Sequence, residues 1–145
     1  MYTYTLGGKN GKKYTLHESD DLVAVRTKNS RDLKSDVISD KGKKALKDFE
    51  VLMEFTEADI TVFQTKDSVK DDLAVRNKAR SALKKEPELR FVGKVLLDED
   101  SKTLVLYTEN IFIKFHDQVK AELCEKILVD NNLKIKQKPD YAKNT

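Results

Sequence analysis

Between Asp21 and Leu97 the spacing of apolar residues switches repeatedly between the period of a strand and that of a helix. Leu22-Val23-Ala24-Val25-Arg26-Thr27 is short and β-branched, which suits a strand. The polar stretch Lys28–Ser39 is the longest loop expected. Ser39 or Asp40 then caps a helix reaching about Phe49, with Ala45, Leu46 and Phe49 facing inward. Glu50–Phe55 and Asp59–Gln64 read as strands joined by Thr56-Glu57-Ala58, although Leu52, Met53 and Glu54 would also suit a helix. Lys66-Asp67-Ser68 opens a second helix, with Ser68 as its cap and Asp71-Asp72 in the first turn, where the helix dipole favours acids. Val69, Leu73, Arg76, Ala79 and Leu83 mark its inner stripe, and Pro87 stops it. Arg90–Leu97 is the next strand. The order β-α-β-β-α-β predicts an α+β fold of the ferredoxin-like kind, an antiparallel sheet with two helices on one face.

A hairpin precedes this module. Tyr2, Tyr4 and Leu6 alternate with threonines, Gly7-Gly8-Lys9-Asn10-Gly11 turns the chain, and Tyr14 and Leu16 alternate again before Ser19-Asp20-Asp21 breaks the strand. After it, Asp98-Glu99-Asp100-Ser101 turns into a run with Leu104, Leu106, Ile111, Ile113 and Phe115 at strand spacing. Asp117 is the expected cap of a helix whose stripe is Val119, Leu123, Cys124, Ile127 and Leu128. Asp130-Asn131-Asn132 tolerates left-handed backbone, and Leu133 and Ile135 alternate with lysines in a last strand, Leu133–Lys138.

These later elements repeat the leading ones. Val23-Ala24-Val25-Arg26 falls on Ile111-Phe112-Ile113-Lys114, and each is followed by an amphipathic helix and a short strand. The expected division is therefore residues 1–97, hairpin plus ferredoxin-like module, and residues 98–145, a truncated second repeat of hairpin, strand, helix and strand. A unit so short buries too little apolar surface to stand alone. It must pack on the first, pair with a second copy in a homodimer, or be completed by residues outside this chain.

The chemistry that the residues could support is sparse. The chain has 145 residues, 28 basic against 25 acidic, with both signs interspersed, too even for the basic stripe of a nucleic-acid-binding surface. No run is long and apolar enough to span a membrane. A lone cysteine, Cys124, cannot form an intramolecular disulfide, and its place on an apolar stripe suits a core residue rather than a nucleophile. His17 and His116 lie at strand ends without a serine or cysteine beside them in sequence. There is no metal-ligand spacing, no glycine-rich phosphate loop and no G-x-S-x-G elbow. Asp98-Glu99-Asp100 reads as a solvated hairpin tip, and Lys134, Lys136 and Lys138 as charged guards of an edge strand. No catalytic, cofactor-binding or metal site is expected, and the chain is not expected to be an enzyme. Tyr107, Phe112 and Tyr141 are candidates for an interaction surface.

From Leu89 to Asn144 the chain resembles the region ahead of the catalytic domain in a group of bacterial subtilisin-like serine proteases. Arg90-Phe91-Val92-Gly93-Lys94-Val95, the Tyr107-Thr108-Glu109-Asn110 break, Ile113-Lys114-Phe115, Glu122-Leu123-Cys124-Glu125-Lys126-Ile127-Leu128, Asn132-Leu133 and Tyr141-Ala142-Lys143-Asn144 carry the resemblance. It implies a pro-region of ferredoxin-like fold that lays its sheet on the protease domain, assists its folding and inhibits it. The family's inhibitory tail would follow Asn144. The alternative reading is a stand-alone protein- or RNA-binding module using an exposed sheet face, but the aromatic-basic cluster of RNA-binding sheets is missing from the sequence.

Overall fold

The computed structural model describes residues 1–6, 10–28, 38–107, 109–111 and 113–137, with only the backbone of Leu6. The chain divides into two compact units, Met1–Glu109 and Asn110–Thr145. The first holds β1 (Tyr2–Leu6), β2 (Lys12–Thr27), α1 (Asp40–Ala45), β3 (Phe49–Phe55), β4 (Ile60–Thr65), α2 (Asp72–Leu83), β5 (Leu89–Asp98) and β6 (Leu104–Val105). The second holds α3 (Ala121–Asp130).

The six strands form one antiparallel sheet in the order β3-β4-β2-β5-β6, with β1 paired to the leading half of β2. The four strands β2 to β5, with α1 and α2 in the two crossovers, have the ferredoxin-like order that the sequence predicts. The expected turn at Gly7-Gly8-Lys9 and most of the loop Lys28–Ser39 lie outside the described residues.

The sheet is buried on both faces at its centre. Val23, Val25, Phe63 and Val92 meet Ala79 and Leu83 of α2, with Ile38, Phe49 and Leu89 completing the cluster. Strand alternation sends Leu22, Ala24, Val62 and Val95 to the opposite face, where Leu104 and Leu106 pack against them. Side chains also tie the helices down. Ser39 caps α1, its Oγ accepting from Gly42 N, and it donates from N and Oγ to the buried Glu86 beyond α2 at 2.9 and 2.6 Å.

Several expectations are corrected. Ser19-Asp20-Asp21 does not end the strand, because β2 runs unbroken through it. The break becomes a bulge: Glu18 pairs with Leu96 and Val23 with Lys94, so residues 19–22 face a single residue of β5. Polar side chains make this possible. Buried Arg76 donates to the Ser19 carbonyl, Ser19 Oγ accepts from Leu22 N at 3.2 Å, and Gln64 donates to Asp21 at 2.8 Å. The cap of α2 is Asp71, which accepts from Ala74 N at 3.0 Å, and not Ser68. Val69 N donates to Lys66 O in a separate turn, and Thr65 Oγ1 bonds Asp72 at 2.5 Å, pinning the helix start to the end of β4. Of its expected stripe, Leu73 is exposed, while Arg76, Ala79 and Leu83 are buried.

In the second unit the N-cap of α3 is Lys120, without a side-chain cap bond, and not Asp117. The helix closes as the sequence suggests. Asn132 adopts φ 56°, with Asn132 N donating to Val129 O and Leu133 N to Leu128 O, a Schellman ending. Leu106, Ile111, residues 113–116 and residues 133–137 are not in strands, and Phe112 and Lys138 lie outside the described residues. The predicted later strands thus reduce to Leu104–Val105, because a strand exists only where a neighbour completes its ladder.

Candidate interaction edge

One edge of the sheet is β3. Among the described residues it pairs only with β4, so every second residue directs its N–H and C=O away from the sheet. Its sequence, FEVLMEF, is apolar, and Val51, Leu52, Met53 and Phe55 are each about two-fifths exposed. Val51 pairs with Phe63 and Met53 with Val62, which leaves Leu52 as the extra residue of a bulge. Because directly paired residues share a face, Phe49 and Val51 lie on the helix side, and Met53 and Phe55 on the other. Glu50 and Glu54 punctuate the strand. In an antiparallel pairing of two β3 strands centred on Leu52, Glu50 would face Glu54 of the other copy, which disfavours self-association. The edge is thus an apolar strand with open hydrogen-bonding groups and a charge pattern set against its own kind, suited to accept a foreign strand or apolar surface.

The sheet face away from the helices is covered at its centre. Leu22, Ala24, Ile60, Val62 and Val95 on the face away from the helices are buried, so the apolar surface on offer runs along the edge.

Two ionic clusters hold the frame. Glu18 accepts from Arg76 and from Lys94 Nζ, each at 2.6 Å. Partial burial pushes its carboxyl up, but hydrogen bonds from Lys94 and Arg76 and their charges prevail and hold it below the ordinary value. Glu109 takes Arg90 Nε at 2.5 Å and Arg26 at 3.0 Å, and Arg26 Nε also donates to Ala58 O at 2.9 Å. Burial again opposes, and the backbone bond at Glu109 and the two guanidinium charges again win, so this carboxyl also lies low.

The residues considered for chemistry are dispersed. His17 Nε2 lies 3.5 Å from Glu99 at the exposed end of the β5–β6 hairpin. Cys124 is buried on α3 and makes no hydrogen bond to a histidine among the described residues. Asp98 is occupied in its own turn, accepting from Ser101 N at 2.8 Å, Ser101 Oγ at 2.9 Å and Asp100 N at 3.2 Å. Those bonds, from Ser101 first, draw its pKa down. Among the described residues no group of three His, Cys, Asp or Glu side chains is placed to hold a metal ion. No helix among them is long and apolar enough to cross a membrane. Tyr107 meets Phe91 edge to face at 5.5 Å. Phe112 and Tyr141 lie outside the described residues.

The comparisons match this chain to one part of proteins described as a protease. Relatives from Nostoc sp. and Trichormus variabilis, each described as a calcium-dependent protease, are 36% identical to the chain over 144 residues. The match covers 95% of this chain and 22% of each relative, so the chain spans about a fifth of the length of the curated relatives it matches. No family model and no solved structure matches it. What the chain shares is therefore one region of a larger protease-named protein.

Sequence reading missed the β3 edge as a surface. The signal was present in Glu50–Phe55, which has almost no polar alternation. In a one-sided strand that pattern would be periodic; its loss marked a strand with both faces partly open.

Proposed function

We propose that this chain is the non-catalytic pro-region of a subtilisin-like, calcium-dependent protease, and that it assists folding of the enzyme and restrains it by surface contact. The carrying observation is the match of nearly the whole chain to a fifth of the length of proteins named calcium-dependent protease. The ferredoxin-like strand order supports the reading, since it is the order that the resemblance implies for such a region. So does the β3 edge, which offers apolar contact and main-chain hydrogen bonds but no reactive group. Calcium and proteolysis would then belong to the remainder of the protein.

The test is to add the purified chain to the mature protease of the same reading frame and follow hydrolysis of a peptide substrate. Slowed hydrolysis that saturates with chain concentration supports the reading. Unchanged hydrolysis at a large molar excess rejects restraint of the enzyme by this region.

A further inference from the structure

Beside the Phe91–Tyr107 pair the first unit holds an open cleft of about 360 Å³, walled by Arg80 of α2 and by Lys84 just past its end, and floored by Leu89, Phe91 and Tyr107, with Arg90 at its rim. Its charges are unbalanced. Arg90 is matched by Glu109, but the side chains of Arg80 and Lys84 have no ion-pair or hydrogen-bond partner among the described residues. Arg80 Nε is buried with its hydrogen unbonded. An unsatisfied buried donor destabilises the fold. Two like charges one turn apart on a helix add a further small penalty. The end of α2 favours cations through the helix dipole, but that leaves the buried Arg80 Nε without a partner. Tyr107 Oη accepts from Lys94 N at 3.2 Å, which leaves its own proton to give. Gly93 makes room for the floor: a Cβ there would sit 2.6 Å from Phe91 Cζ.

We propose that this cleft binds an acidic polypeptide segment, a carboxylate on Arg80 and Lys84 with a neighbouring apolar side chain on Phe91 and Tyr107. The guanidinium fork suits a carboxylate, and the apolar floor suits a peptide side chain more than a bare ion. The volume takes one or two side chains, at the small end of binding clefts.

The test uses the whole chain labelled with nitrogen-15 and a capped peptide containing Glu-Leu-Asp-Leu. The Arg80 Nε–Hε signal and the amides of Arg90, Phe91 and Val92 should shift on titration. The twin peptide with Gln and Asn in place of the acids should leave them unmoved. The double variant R80Q/K84Q should weaken binding about tenfold or more, as expected for loss of paired charges. If that variant does not fold, K84Q alone, at an exposed position, should weaken binding about threefold. Absence of shifts at millimolar peptide, equal shifts with the uncharged twin, or inorganic phosphate binding as tightly at the same signals would each overturn the proposal.

Discussion

Replacing Arg76 by Met should unfold the first unit more readily than any single change on its surface. Arg76 is 1% exposed and donates to the Ser19 carbonyl, to Glu18 at 2.6 Å and to Asn77 at 2.9 Å. A hydrogen bond to a charged partner contributes about 1.5–3 kcal/mol, and a stranded buried carbonyl costs about 1–3 kcal/mol. Two effects offset part of this. Met fills the stem of the arginine, and the Arg76 Nε that lacks a partner disappears. Glu18 also keeps Lys94 and some solvent. The net loss is about 2–3 kcal/mol, a large share of a typical 5–15 kcal/mol. For a unit of about 100 residues this lowers the melting temperature by about 8–12 °C. Circular dichroism melts at pH 7 measure it. Because Arg76 favours ionised Glu18, the gap between wild type and variant should narrow as pH falls through the lowered Glu18 pKa. It should not close, since the bond to the Ser19 carbonyl does not titrate. A variant melting within about 2 °C of wild type, on the same scale, would refute the idea that Arg76 holds the β2 bulge.

Other outcomes follow from the same contacts. Asp71→Ala should cost about 1 kcal/mol in urea unfolding, as for other lost caps, while Ser68→Ala should leave the midpoint unchanged. Gly93→Ala should displace the Phe91 ring, visible as lost ring-current shifts from Tyr107, and destabilise by about 1–3 kcal/mol. Glu18, Asp98 and Glu109 all have lowered pKa values in the fold. Their contribution is complete above the ordinary carboxylate pKa of about 4 and is lost as pH falls through the lowered values, so urea midpoints should drop steeply below about pH 4. Leu52→Lys with Phe55→Lys should change the stability of the chain by less than about 1 kcal/mol in urea unfolding, because both side chains are exposed.

Much of the frame was legible because its signals are local. Alternation located β1, short apolar runs between polar turns located β3, β4 and β5, the acidic pair placed the start of α2 within a few residues, and Asp130-Asn131-Asn132 marked the ending of α3. What escaped depends on distant partners. Ser19-Asp20-Asp21 looks like a break until Arg76 and Gln64 arrive from elsewhere in the chain to satisfy it. Arg76 itself read as part of a stripe, and nothing in its neighbourhood announced the bond to Glu18. Ile113, Phe115, Leu133 and Ile135 have strand spacing, but spacing does not supply a neighbour, and those segments remain outside the sheet. The unmatched cations of the cleft were invisible for the same reason: Arg80 lies in α2 and Lys84 just past its end, and only the fold shows that no acid meets their side chains among the described residues.

The central claim is that this chain works on a protease by contact and carries no reaction of its own. Its most direct measurement is the yield of active enzyme when the rest of the protease, unfolded in denaturant, is diluted into buffer with and without an equimolar amount of this chain. The account predicts a higher yield with the wild-type chain and a smaller gain with the Leu52→Lys, Phe55→Lys variant. Equal yields with and without the chain, or peptide hydrolysis by the chain alone, would contradict it.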